Sequence, residues 1–126
     1  MNKKMKKLEE KYVGVYVNEE DKNETFEIKG IDLYNTTWIN EDVEKPCLAL
    51  DIICMNENQV KDIIYFQGFL TIIIDKDEKS INIARRYLTN AGFSLNLAQQ
   101  LCKDIAKMFN MPVNMTYAGN VEQTFV

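Results

Sequence analysis

Between Leu95 and Asn110 the apolar residues Leu97, Ala98, Leu101, Ile105, Met108 and Phe109 fall at i, i+1, i+4, i+8, i+11 and i+12. Asn96, Gln99, Gln100, Lys103, Asp104 and Lys107 take the opposite side. That spacing predicts one amphipathic helix with a single buried stripe. Ser94 offers a capping oxygen at its start, and Asn110 followed by Pro112 ends it. A lone helix of this length is marginal in water and takes most of its stability from the surface it packs against. The rest of the chain must supply that surface, and its patterning is mostly that of strands.

At the N-terminus Met5, Leu8 and Tyr12 share one side of a short helix over Lys3–Tyr12, opposite Lys4, Lys7 and Lys11. Val13–Val17 then alternates like a strand, and 18–23 is a polar turn cluster. Thr25–Trp38 resumes the alternation through Phe26, Ile28 and Leu33, with Gly30 marking a bulge or break. Asn35-Thr-Thr and the polar run from Asn40 to Pro46 predict a connection around Trp38 and Ile39, with Pro46 at the entry to the next strand.

Leu48–Cys54 is apolar on both faces except at Asp51, which suits a central strand. Met55–Gln59 reads as a turn into Val60–Phe66, which fits a strand or a helical turn, and after Gly68 the segment Phe69–Ile74 is the most strand-like in the chain. Ser80–Ala91 satisfies two patterns. Ile81, Ala84, Leu88 and Ala91 match a helix from Ser80 to Gly92, whereas Ile81, Ile83 and Tyr87 match a strand closing a hairpin on Phe69–Ile74; the strand is the simpler continuation of a meander. Val113–Tyr117 predicts an edge strand and 119–126 a tail.

The expected fold is therefore α+β: a mainly antiparallel sheet of four to six strands, with the long C-terminal amphipathic helix on one face and a short N-terminal helix at an edge. With no linker or repeat in view, residues 1–126 form one domain, flexible at 1–4 and 119–126.

Composition narrows the class. No apolar run approaches the roughly 20 residues needed to span a bilayer, since Gln67 and Thr71 interrupt 63–74, and the basic N-terminus never opens into an apolar signal segment. An odd count of three cysteines, Cys47, Cys54 and Cys102, without metal-ligand spacing predicts small buried thiols in a reducing compartment, hence a cytoplasmic protein with no membrane association. The chain contains no histidine, which removes the usual base of serine and cysteine hydrolases and the HExxH zinc site. Asp75-Lys-Asp-Glu78 is not a calcium loop, because Lys79 takes the third ligand position and Ser80 the place of the glycine. The five scattered glycines form no phosphate loop. No catalytic residue, metal site or cofactor is implied, and the expectation is a non-enzymatic protein.

Charge supplies the remaining signal. The net charge of −4 is concentrated in residues 13–62, where twelve acidic residues face four lysines. Glu19, Glu20, Asp21 and Glu24 surround one expected turn, and Glu41, Asp42 and Glu44 another. Two acidic loops would steer the chain to a protein with a basic surface, such as a groove that otherwise holds nucleic acid. A small acidic chain rich in Lys, Asn, Ile and Glu, as AT-rich codons produce, suits by analogy an inhibitor or anti-defence (anti-CRISPR-like) protein of a phage or mobile element.

Two other classes compete. If Ser80–Ala91 were helical, the unit it forms with the Leu95–Asn110 helix would resemble a helix-turn-helix, with Arg85, Arg86, Lys103 and Lys107 for phosphates. So few cations make weak nucleic-acid binding. A homo-oligomer or virion component would instead pair chains through the apolar edge at Phe69–Ile74 or Val113–Tyr117.

Overall fold

The computed structural model describes residues 3–17, 24–58 and 64–126, with side-chain positions for all of these except 3, 4, 24, 40, 56–58 and 64–69. In chain order the elements are α1 (Lys3–Tyr12), β1 (Gly14–Val17), β2 (Glu24–Asn40), β3 (Val43–Asn58), β4 (Ile64–Ile74), β5 (Ile81–Ala84), α2 (Arg85–Ala91), α3 (Leu95–Phe109), β6 (Val113–Tyr117) and β7 (Asn120–Phe125). The class is α+β, as the patterning implies. The strands form two sheets rather than one: an antiparallel sheet in the order β1-β2-β3-β4, and a smaller one in the order β5-β6-β7.

The helix α3 has the predicted boundaries. The Ser94 hydroxyl accepts from the Leu97 N–H, and Asn110 ends the helix in the left-handed conformation at φ 51°. Leu97, Ala98, Leu101, Cys102, Ile105 and Ala106 are buried along its stripe, with Met108 and Phe109 packed partly buried beside them. They share one core with Met5, Leu8 and Tyr12 of α1 and with the inward side chains of the large sheet, among them Ile28, Ile31, Leu50, Ile52, Leu70, Ile72 and Ile74. Each such aliphatic side chain contributes about 1.5–3 kcal/mol by leaving water.

The helix α1 is tied to α3 by polar contacts as well. The buried Tyr12 hydroxyl and the Lys11 ammonium both donate to Asp104 Oδ2, each at 2.6 Å. Burial alone would raise the Asp104 carboxyl. The hydrogen bonds from Lys11 and Tyr12, with the charges of Lys11 and Lys107, outweigh it and hold the group below the ordinary carboxylate range. The three cysteines are buried, and burial pushes the Cys102 thiol up to about 11.

Several connections differ from those expected. The chain does not leave the sheet at 35–46. β2 runs through Asn35, Thr36 and Thr37 to Asn40, β3 starts at Val43, and only Glu41 and Asp42 turn, at φ 50° and 64°. Positive φ at both central residues is a type I′ turn, whose twist matches that of the strands it joins. Asn40 and Val43 close this turn as a hydrogen-bonded pair, so the Thr37–Pro46 pair three steps on is a non-hydrogen-bonded one. Pro46 therefore sits inside the strand without removing a ladder bond, and on its other side β4 has not begun, since β4 first pairs at Leu48↔Ile74.

The other end of β3 also continues, Met55–Asn58 being strand rather than turn, and Gly68 does not interrupt β4 but lies opposite Cys54. Residues 59–63, where the turn and the start of Val60–Phe66 were expected, lie outside the described residues, as does the 18–23 cluster. The bulge near Gly30 is present, as a one-residue register shift between Ile28 and Gly30.

Ser80–Ala91 resolves into both of its patterns in succession. Ile81 and Ile83 are buried alternately in β5, and from Arg85 the 3.6-residue spacing takes over, burying Leu88 and Ala91 in α2. Ala84, not Ser80, occupies the cap, and Gly92 ends the helix as expected, at φ 123°. β5 makes no hairpin with β4; it pairs in parallel with β6, across the crossover formed by α2 and α3. β6 is accordingly the central strand of its sheet rather than an edge, and the expected tail is β7, whose Phe125 is buried opposite Val113. No helix among the described residues is long and apolar enough to cross a membrane.

Candidate protein-binding site

Because β2 and β3 outrun their neighbours, their turn end projects as a two-stranded arm. β1 pairs with β2 only at Thr25–Ile28, and β4 leaves β3 at Leu48. Among the described side chains from Leu33 to Pro46 none is buried. Trp38 is 52% exposed, Ile39 65% and Val43 62%. Cross-strand register sets Trp38 opposite Lys45 and Ile39 opposite Glu44, so the apolar groups lie on both faces of the arm. An isolated two-stranded ribbon is at best marginal in water, and large apolar side chains on one do not stabilise it by burial.

The acidic residues Glu41, Asp42 and Glu44 are all exposed at the tip of this arm. The sole cation on the arm, Lys45, is engaged with the body: its ammonium lies 2.9 Å from Asp75 and 3.6 Å from Asp77. The hydrogen bond to Asp75 is the main reason that the Lys45 pKa is raised, and the same bond lowers that of Asp75. Lys45 thus anchors the arm while its charge is offset, leaving the tip negative.

Glu24 of the other acidic cluster is not part of this site. Glu19, Glu20 and Asp21 lie outside the described residues. Glu24 opens β2 opposite Asn58, at the end away from the tip. At about 3.3 Å per residue, a strand as long as β2 separates its two ends by roughly 50 Å if straight. Glu24 therefore does not join the tip in one continuous acidic surface.

The cationic residues of the alternative reading are dispersed in role. Arg85 is engaged: its guanidinium lies 2.9 Å from Glu122 and 4.0 Å from the centre of the Tyr117 ring. Arg86, Lys103 and Lys107 are exposed. Among the described residues no group of three or more His, Cys, Asp or Glu side chains is placed to hold a metal ion.

Sequence reasoning named the acidic tip but missed Tyr34, Trp38, Ile39 and Val43, having read their surroundings as a connection. A signal was present: Leu33–Asn40 is an eight-residue stretch without a charge in a chain that is 27% charged. Tyr34 belongs to a polar row across the sheet, in which Asp51 of β3 accepts from Thr71 Oγ1 of β4 at 2.7 Å. The Tyr34 hydroxyl also bonds Asp51, which, ahead of burial and nearby charge, raises the phenol above its ordinary value. This row ties the root of the arm to the body. Comparison with models of known families, with curated proteins and with solved structures finds no match for this chain.

Proposed function

We propose that the chain is a small non-enzymatic binding protein that docks the tip of its β2–β3 arm into a basic groove on a larger protein. The observation that carries this reading is the juxtaposition at the tip: three carboxylates, Glu41, Asp42 and Glu44, beside exposed Trp38, Ile39 and Val43. An aromatic anchor flanked by like charges is a common composition for a recognition surface, in which the apolar group supplies affinity and the charges supply steering. A groove that normally holds nucleic acid has the complementary field. In that setting the chain acts as an inhibitor or anti-defence protein in the cytoplasm.

The test is a tagged pull-down from nuclease-treated host lysate at low and high salt, with wild type compared with two variants. One is Glu41→Asn/Asp42→Asn/Glu44→Lys, which removes the charge with residues suited to the positive φ of the turn. The other is Trp38→Ala/Ile39→Ala. A protein captured by the wild type at low salt and lost with both variants supports the docking arm. Equal capture by all three refutes it.

A further inference from the structure

The arm carries an unguarded sheet edge, and its free backbone groups can be enumerated. Counting from the hydrogen-bonded pair Asn40–Val43, the residues of β2 whose N–H and C=O point away from β3 are Ile39, Thr37, Asn35, Leu33 and Ile31. Two of these N–H groups are occupied: Ile31 donates to Glu9 Oε1 at 3.3 Å, and Leu33 to Asp32 Oδ1 at 3.0 Å. Nothing in the described structure takes the outward groups of Asn35, Thr37 and Ile39.

The opposite edge of the arm is guarded. Outward from β3, the arm has Glu44 and then Pro46, which has no N–H to offer. On β4 the Thr71 N–H donates to the Tyr87 hydroxyl at 2.9 Å. The edges expected from sequence, Phe69–Ile74 and Val113–Tyr117, are respectively contacted by α2 and buried as a central strand. Asn35–Ile39 combines an open ladder with no charge and no proline, features of a segment primed for strand addition.

We infer that this edge pairs with the same edge of a second copy of the chain, antiparallel about a two-fold axis at Thr37. The occupant follows from self-complementarity. An axis at Thr37 sets Thr37 opposite Thr37 and Asn35 opposite Ile39 twice, which satisfies all three free residues on both copies and displaces neither the Glu9 nor the Asp32 bond. On the outer face Trp38 falls opposite Thr36 of the second copy, with Tyr34 and Trp38 of that copy at the two diagonal positions, within reach of aromatic contact. The result is one continuous eight-stranded sheet with the two acidic tips directed apart. Beyond the paired segment the register carries Asp42 toward Asp32 of the second copy, two like charges, so added salt strengthens this association. Docking of the tip to a basic protein has the opposite salt dependence, so salt distinguishes these two uses of the arm, which share Trp38 and Ile39.

The test is sedimentation equilibrium of the full chain from about 1 µM to about 1 mM, the range suited to a small interface, at low and high salt. The expected result is a monomer–dimer equilibrium that tightens with salt. Thr37→Pro leaves the monomer ladder intact, because the N–H it removes is unpaired, and weakens the dimer at least about tenfold. Far-UV circular dichroism checks that this variant folds.

Cross-linking tests the register independently. Paired Thr37 Cα atoms stand about 5.5 Å apart, within disulfide range, whereas the two Thr36 positions are diagonal, beyond about 7 Å. Thr37→Cys therefore links readily on mild oxidation and Thr36→Cys does not, with the native cysteines buried and out of competition. A mass of one chain throughout the range, a dimer unaffected by Thr37→Pro, or linking of Thr36→Cys as fast as Thr37→Cys would each overturn the inference.

Discussion

The body of the molecule and its arm are made of the same strands and obey different rules. In the body β3 buries Leu50, Ile52 and Cys54 at alternate positions, each essentially inaccessible to solvent. The same strand at Val43 and Glu44 buries nothing. The body is therefore held by packing, where each side chain answers to many neighbours. The arm is held by its backbone ladder, its turn, the Lys45–Asp75 pair and the Tyr34–Asp51–Thr71 row. A region with no core of its own is free to choose side chains for what they present, and here it presents Trp38, Ile39 and three acids.

Substitutions can break or sharpen this contrast. The largest effect is expected in the body at Gly92, where an added Cβ would lie 2.6 Å from Phe26 Cδ1, in a backbone conformation of φ +123° that alanine disfavours. Gly92→Ala should destabilise the fold by about 2–4 kcal/mol, read from the denaturant midpoint.

Next is Asp104→Asn, which removes the charged acceptor for Tyr12 and Lys11 and should cost about 1–2 kcal/mol near neutral pH. The sign of its pH dependence follows from linkage. A carboxyl whose folded pKa is below its unfolded value contributes fully above the unfolded pKa, and that contribution is lost as pH falls through the folded one. For Asp104 the loss sets in as pH drops below the ordinary value of 3.8. Urea midpoints from pH 6 down to 2 should show the Asn variant closest to wild type at the acid end.

In the arm, Glu41→Asn/Asp42→Gly replaces two residues held at φ 50° and 64° with the pair that type I′ turns favour, and should stabilise the hairpin by about 1 kcal/mol. Hydrogen exchange at Trp38 and Lys45 would register the change even where the global midpoint does not move. The smallest effect on stability belongs to the two most conspicuous apolar residues of the arm. Trp38→Ala/Ile39→Ala should shift the midpoint by less than about 0.5 kcal/mol, because neither side chain is buried. A loss of several kcal/mol would show that they pack against something in the folded chain, and would remove them as a recognition surface.

The parts of the fold legible in the sequence are those where one period persists. The stripe from Leu97 to Phe109 covers the whole length of α3 and carries its own cap and stop, so nothing tertiary was needed to read it. The arm was hidden because its turn is Glu41-Asp42 rather than Asn-Gly, and because Asn35, Thr36 and Thr37 look like loop residues until they are seen on a ribbon with no buried face. β7 was hidden for a related reason: of its residues only Phe125 is buried, so it has no alternation to detect. Ser80–Ala91 misled differently, since a period of two and a period of 3.6 meet at Ala84 and each explains half the segment. The parallel pairing of β5 with β6 is a tertiary fact with no local trace. The acidic tip was legible as charge. That Glu24 lies at the opposite end of the same strand required the strand's full length.

The parallel pairing also sets an order of events as the chain is made. The β2–β3 hairpin closes through neighbours in sequence. Ile81 and Ile83 must wait for Val113 and Met115, and those strands are completed only when Phe125 arrives to lie over Val113. Contacts so far apart along the chain form slowly compared with local ones. In the order of synthesis the arm is therefore complete before the residues that close the smaller sheet are made.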